Sequence, residues 1–542
     1  MTDAPHFEAW LDRFFDVFYR DHPVTATFIG HHAYDSELAG DPVAALDDVR
    51  SLRGTLDELP EETLEAASSV DRRLARGFLA TEQWELEAKR CLGNPAWYTG
   101  EAIFGAFALL LRDFAPIEER LQNLRARLAA VPAFLEQASA EVRASPKSWA
   151  ERAMNECDGA LAFLESGWEY VDHASELDED AARAAEAFRA YRAHLESLRE
   201  SNDAACGEEA FARLLRDGHH LDVDAEDILE VATNEIARCE KALATEGDWR
   251  AKLDGLAEIH PPRAYYYKRF RELWEQSRAL AEDRKLVTWP DYPVDYVPRP
   301  AWARDAAHRL YFLFYRSPAP FDRAPIVDYL LTPLADDLSD EAAEDFLRAT
   351  NDSVIKLNHV VHHGGIGHHI QNWHAQRAAS RIGQIAAVDG ASRIAMLCGG
   401  TMAEGWACYA TDLMDEAGFL TPLESFSQHH AHLRMAARAV VDIRLHRGEM
   451  SFEQAERFYV DTTNMSPGAA RGEVTRNGMF PGAALIYLVG ANGIHALRRE
   501  LTETLGSRFD LRAFHDRFLS HGSIPVSLIR EAMLMDPTAY SK

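Results

Sequence analysis

The chain has 542 residues, 47% of them hydrophobic and 27% charged, with a formal net charge of −30 at pH 7. This is the composition of a large globular protein with a sizeable core. The acidic balance argues against nucleic acid and anionic membrane surfaces as partners, because phosphate binding needs clustered basic residues.

The opening segment "MTDAPHFEAWLDRFFDVFYRDH" has no basic stretch followed by an unbroken apolar run, so no secretory signal is expected. The apolar stretch Ala102–Leu111 is too short to span a bilayer. Ile117, Leu121, Leu124 and Leu128 recur at helical spacing and define one apolar face, a pattern that Pro132 is expected to perturb. The tract "ASELDEDAARAAEAFRAYRAHLESLRE" reads as a solvated helix. Asp224 reads as the N-cap of a helix whose face holds Leu229, Ala232 and Ile236. Lys285–Trp289 and His308–Arg316 carry the β-branched and aromatic enrichment of strands. Between them, "PDYPVDYVPRPAW" holds four prolines and predicts an extended connector in which Tyr292, Tyr296 and Trp302 pack. Two further helices are expected in "LESFSQHHAHLRMAARAVVDIRLH" and "SFEQAERFYVDTT". The six cysteines (Cys91, Cys157, Cys206, Cys239, Cys398 and Cys408) are scattered without a CxxC, which suits free thiols in a reducing cytosol. The fold class is mainly α with a small β component. It divides for convenience into a helical half, 1–280, and a chemistry-bearing half, 281–542, or forms one continuous domain over about 5–540.

Chemistry concentrates in "VVHHGGIGHHIQNWH". Six of the 23 histidines (His359, His362, His363, His368, His369 and His374) fall within sixteen residues, around Gly364, Gly365 and Gly367. Dense histidine points to a metal, since neutral imidazole is the commonest side-chain ligand. His359 and His363 have the i, i+4 spacing of one helix face, whereas His362 and His368 would diverge on a continuous helix. The glycines predict a helix ending near His363, a tight turn, and a second helix through "HHIQNWHAQRAAS". Such a turn folds His368 or His369 back towards His362. Glu404 lies downstream among apolar residues, where a carboxylate is costly unless paired or metal-bound. It would share a helix face with Ala407, Cys408 and Thr411.

These segments resemble the DUF885 family, bacterial proteins grouped with zincin-type metallopeptidases. Members carry HE-x-x-PGHH-x-Q and, downstream, EGWA-x-Y; here "HHGGIGHHIQ" (362–371) and "EGWACY" (404–409) match. "HPVTATFIGHHAYD", "LVTWPDYPVDYVPRP", "SPAPFD", "FPGAALIYLVG" and "LGSRFDLRAFHDRFLSHGSIPVSLI" extend the likeness over most of the chain. The resemblance implies a mostly helical fold around a metal-binding cleft. By matched position, His362, His368 and Glu404 are the implied metal ligands and His369 an alternative one. Arg438, Asp442 and His446 fall in the matched "R-x-VVD-x-x-x-H" run, and Tyr487 in "PG-x-A-x-x-Y". His446 and Tyr487 are candidate oxyanion or substrate donors, and Arg438 and Gln371 candidates for substrate binding.

The departure from the motif is His363, which stands where the family has glutamate; Ile366 stands where it has proline. In zincin hydrolysis that glutamate takes a proton from the attacking water and passes it to the leaving group. His363 is therefore a replacement base, an extra ligand, or a sign of lost peptidase activity. The leading expectation is a metal-dependent hydrolase of an amide or peptide bond, with zinc first and iron or another first-row metal next. The alternatives are a metal-dependent lyase, isomerase or oxygen-using enzyme, and a degenerate peptidase fold retained for binding. The expected partner is a small-molecule or peptide substrate, with a homodimer left open; neither nucleic acid nor a membrane is expected.

Overall fold

The computed structural model describes residues 4–40, 42–60, 64–88, 93–245, 247–310, 320–322, 328–335, 338–385 and 399–535. It is 74% helical, which makes the fold mainly α. Sheet among the described residues is limited to two parallel two-stranded pairs. No described helix is long and apolar enough to cross a membrane. Cys157, Cys206, Cys239 and Cys408 are free thiols, while Cys91 and Cys398 lie outside the described residues.

Local signals account for most helices. Asp224 caps Ala225–Ala244, with Asp227 completing a capping box, and Leu229 and Ala232 are buried. Thr421 and Ser451 do the same for Pro422–His446 and Phe452–Thr463. Pro132 does not end its helix, which runs from Ile117 to Glu141. An internal proline costs about 3 kcal/mol. Burial of Leu121, Leu124, Leu128, Val131, Phe134 and Leu135 on one face offsets that, at roughly 1.5–3 kcal/mol per large apolar side chain. The alanine- and glutamate-rich tract is not merely solvated either. Its helix, Asp178–Glu196, buries Ala181, Ala184, Ala185, Phe188, Tyr191 and Leu195, because small alanines allow close packing.

The strand expectations need correction. Lys285–Trp289 is irregular chain after the helix Tyr266–Asp283, with Lys285 at φ +53°, so its apolar residues are buried without pairing. The strand forms instead inside the proline-rich connector. Asp295–Pro298 pairs with Asp328–Leu331, Tyr296 opposite Tyr329. His308–Leu310 is turn, and the remainder of that candidate strand lies outside the described residues. Tyr292, Tyr296 and Trp302 are buried.

The largest core cluster includes Phe14, Phe78, Phe270, Val360, Trp406 and Phe518 and so crosses residue 280. A second cluster gathers the helices between Pro95 and Glu196 around Phe107, Phe163 and Trp302. The helices Gly400–Glu416 and Ile486–Leu505 touch backbone to backbone, and a Cβ on Gly405 would stand 2.5 Å from the Cα of Gly490. Histidine is also a core residue here. His359, His369 and His515 are buried, and burial pushes them down to about 4, 4 and 3.

Two outcomes follow. Gly405→Ala pushes the helix pair apart and should cost about 1–3 kcal/mol, read from the denaturant midpoint; an unchanged midpoint refutes the close contact. The buried histidines have folded pKa values below the roughly 6.5 of an unfolded histidine, so between about pH 6.5 and 4 the unfolded chain binds more protons. Metal-free protein should lose thermal stability steadily as pH falls through that window, and a flat Tm there contradicts neutral burial.

Candidate metal centre

Two helices meet at the glycine turn. Ile355–Gly364 is a π-helix and His368–Ala375 an α-helix. Gly367 is the tightest point between them: a Cβ there would overlap the His362 carbonyl oxygen and stand 2.7 Å from that of Val361. Only glycine allows this approach. The turn is tied down from both sides. The Gly367 amide donates to the Val361 carbonyl at 2.9 Å, the Trp406 indole N–H to Ile366 at 2.8 Å, and that of Trp274 to Gly364 at 2.7 Å.

The fold-back gathers one ring nitrogen from each of His362, His363 and His368 within 4.8 Å of one another. Glu404 Oε2, from the facing helix, lies 3.4 Å from His362 Nε2 and 3.8 Å from His368 Nε2. Two of the imidazoles are oriented from behind. His368 Nδ1 is 2.9 Å from Gln371 Oε1, and Gln371 Nε2 donates to Ser523 Oγ at 3.0 Å. His363 Nδ1 is 2.7 Å from the Asn358 carbonyl. Acceptors at both Nδ1 atoms require Nδ1–H and leave the Nε2 lone pairs of His363 and His368 for the centre. Burial, and then the neighbouring His362 and His368, hold His363 well below the usual histidine value. Burial likewise lowers His368 to about 4. Burial works to raise the Glu404 carboxyl, but His362, His368 and Arg476 outweigh it and hold the group below the ordinary carboxylate range.

This donor set fits a divalent metal. His368 Nε2 and Glu404 Oε2 are buried without a hydrogen-bond partner. Ligands about 2.1 Å from a tetrahedral zinc stand roughly 3.4 Å apart, close to the observed 3.4 and 3.8 Å. Nitrogen and carboxylate oxygen suit zinc, iron and other first-row ions.

Other candidates go elsewhere. His359 meets the Tyr329 hydroxyl through Nδ1 at 2.8 Å and is not one of the three gathered histidines. His369 stacks on Tyr292, ring centroids 4.2 Å apart, with Nε2 2.6 Å from the Tyr292 carbonyl. Adjacent helical residues point about 100° apart, so only one of the pair 368 and 369 faces the set. Gln371 is buried and serves His368, which leaves no surface for substrate. His446 is buried with its ring N–H on the Asn477 carbonyl at 2.7 Å, and the structure does not bring it to the set. Asp442 accepts backbone N–H bonds from Gly482, Ala484 and Leu485 and clamps the approach to the helix Ile486–Leu505. Burial raises its carboxyl to about 7 against the pull of those donors. Tyr487 and Arg438 belong to a neighbouring recess. Arg476 donates to the Tyr487 hydroxyl at 3.0 Å, the Arg438 guanidinium lies 5.1 Å from that ring, and Arg438 pairs with Glu473 through two N–H groups.

Sequence reasoning missed Arg476, Asn358 and Ser523. Arg476 left a weak signal, a single arginine in "EVTRNGMFPG". The other two act through backbone or through another side chain and left none.

Comparison with known proteins gives the family but no activity. No curated protein matches the chain. A solved structure from Shewanella oneidensis, described as "a putative lipoprotein of unknown function", is similar with a TM-score of 0.74 and 23% identity, over 97% of this chain and 99% of its own. One from Colwellia psychrerythraea, described as "the putative lipoprotein", is similar with a TM-score of 0.76 and 17% identity, over 98% and 99%. At these identities the likeness shows the fold. The family model described as "Bacterial protein of unknown function (DUF885)" matches residues 23–533, and the chain belongs to that family.

Proposed function

We propose that this chain is a metal-dependent hydrolase acting on an amide or peptide bond of a small substrate. The observation that carries the reading is the convergence of His362, His368 and Glu404, with His368 Nε2 and Glu404 Oε2 buried and without a hydrogen-bond partner. These three residues would hold the ion. A bound divalent metal supplies Lewis-acid polarisation of the scissile carbonyl and activation of water. His363 faces the same point with Nε2 as an acceptor, so it can orient the attacking water and take a hydrogen bond from it. Its low proton affinity makes it a weaker base than a carboxylate in that position.

One observation favours a second reading. The His363 nitrogen stands with those of His362 and His368. Four protein ligands would close a tetrahedral zinc site, whereas six-coordinate iron or manganese would keep positions open and favour non-hydrolytic chemistry. For location, the free thiols suit the cytoplasm proposed from the sequence, whereas the two solved structures named above carry the description "putative lipoprotein"; cell fractionation decides between them.

Elemental analysis of protein purified without chelator should find about one divalent ion per chain, and His362→Ala and Glu404→Ala should each lower its retention at least about tenfold. Metal-free wild type, with both variants taking up added zinc as wild type does, sinks the site. Stoichiometric iron moves the assignment to the second reading. His363→Glu should raise amide hydrolysis by about 10²–10⁴-fold if His363 only orients water; loss of an existing activity makes His363 a ligand or an essential base.

A further inference from the structure

The amino-terminal region holds a histidine whose charge is set by its partners. His32 Nδ1 lies 2.9 Å from Asp35 Oδ2, and His32 Nε2 lies 2.8 Å from Asp322 Oδ1, 290 residues away. An ionised carboxylate only accepts, so both ring nitrogens must donate, whereas a neutral imidazole carries one N–H. The geometry therefore calls for the imidazolium. Its ring is stacked on Phe114, with centroids 3.8 Å apart. Burial works against the charge, but Asp322 and Asp35 outweigh it and raise the group to about 9.

The two carboxylates are not held equally. Asp35 is buried, and its Oδ1 takes the Thr27 hydroxyl at 2.6 Å; Thr27 in turn takes an N–H from buried Arg127 at 2.6 Å. The Asp322 side chain has no second partner among the described residues. Its backbone is seated on Gly30, where a Cβ would stand 2.7 Å from the Asp322 nitrogen, and the Phe321 amide donates to the Ile29 carbonyl at 3.1 Å. When His32 loses a proton, Asp322 is thus the side left without a donor. Asp322 stands six residues ahead of the strand Asp328–Leu331, whose Tyr329 hydroxyl meets His359. The contact ties the amino-terminal region to the approach to the histidine cluster.

The surroundings leave His32 as the titrating group. Burial lowers Arg127 only to about 10, burial and Asp16 raise Tyr34 to about 12, and burial holds His31 below its ordinary value. Asp16, on the Tyr34 hydroxyl, Arg112, on the Phe28 carbonyl, and Arg120, 6.0 Å from the Phe114 ring, complete the charged set. Carboxylates and guanidiniums keep their charge at neutral and mildly alkaline pH.

We infer that His32 and Asp322 form a proton-dependent latch: the imidazolium holds residues 320–322 against residues 29–35, and neutral His32 releases them. The latch does not rest on the proposed hydrolysis. The closed state binds the proton more tightly than a free histidine does, with its value of roughly 6.5. Closure is therefore at full strength below about pH 6.5 and is lost as pH rises to about 9.

The test is hydrogen exchange at the Phe321 amide of the full chain, read by mass spectrometry from about pH 6 to 9 as protection over the intrinsic rate. Wild-type protection should hold up to about pH 6.5 and then fall about tenfold per pH unit. At every pH it should stay below that of the helix Lys147–Ala162, because the latch opens without the core. His32→Gln cannot become a cation, so its protection at Phe321 should be low and independent of pH. Asp322→Asn removes one of the two carboxylates and should cut the wild-type slope by at least about half. A flat wild-type profile, a slope that persists in His32→Gln or is undiminished in Asp322→Asn, or one common protection for Phe321 and the helix Lys147–Ala162 overturns the latch.

Discussion

One backbone contact governs the site: Gly367 packed against the carbonyl of His362. Without it, the π-helix and the helix after it would carry their histidines in different directions. With it, residues six apart in sequence face one another across a turn. A side chain at Gly367 would have to displace backbone, which packed interiors resist. The turn itself is anchored by indole N–H groups of Trp274 and Trp406, which occupy two of its carbonyls. Trp406 therefore has two tasks, since it also fills the core beside Phe518. Glu404, two residues earlier on the same helix, is placed by the residue that secures the opposing turn.

Bringing imidazoles and a carboxylate out of water is unfavourable, and the molecule leaves part of that cost standing. Buried polar atoms without partners cost roughly 1–3 kcal/mol each, and His368 Nε2 and Glu404 Oε2 are two such atoms. Other buried polar groups are fully paired. Asp442 receives three backbone N–H groups, and Tyr409, His515 and the Leu286 carbonyl form a closed chain.

How much of this was legible in the residues depends on the kind of signal. Caps such as Asp224 and Ser451 are local, and the helices they begin appear where expected. Glycine density announced the turn, and histidine density announced the set. Long-range facts were not legible. Leu286, Val287 and Trp289 have the composition of a strand, yet they serve as core filling with no partner edge. The π-helix is a hydrogen-bonding register that no composition encodes. His368 and His369 are equivalent in sequence, and the choice between them rests on Tyr292, 77 residues away. Gln371, a substrate-binding candidate by its place in the matched motif, is spent instead on orienting a buried imidazole.

The histidine set is tied by side-chain and backbone contacts to the helices that lie beyond Glu404. The helix Gly400–Glu416 presents Glu404 to the histidines, while Gly405 lies against Gly490 of the helix that carries Tyr487. Two turns further on, Asp412 takes His432 of the Arg438-bearing helix at 2.8 Å and His495 of the Tyr487-bearing helix at 2.9 Å. Lys356 of the π-helix pairs with Glu424, in the first turn of the Arg438-bearing helix, at 2.7 Å inside the protein. Each clamp joins an element that builds the histidine set to a helix packed against it. Breaking a buried pair is far more costly than forming it is rewarding, so such clamps contribute little net stability but fix relative position. Fixed position is what a preorganised donor set requires: imidazole nitrogens and a carboxylate act together on one point only if they already stand at the right separation.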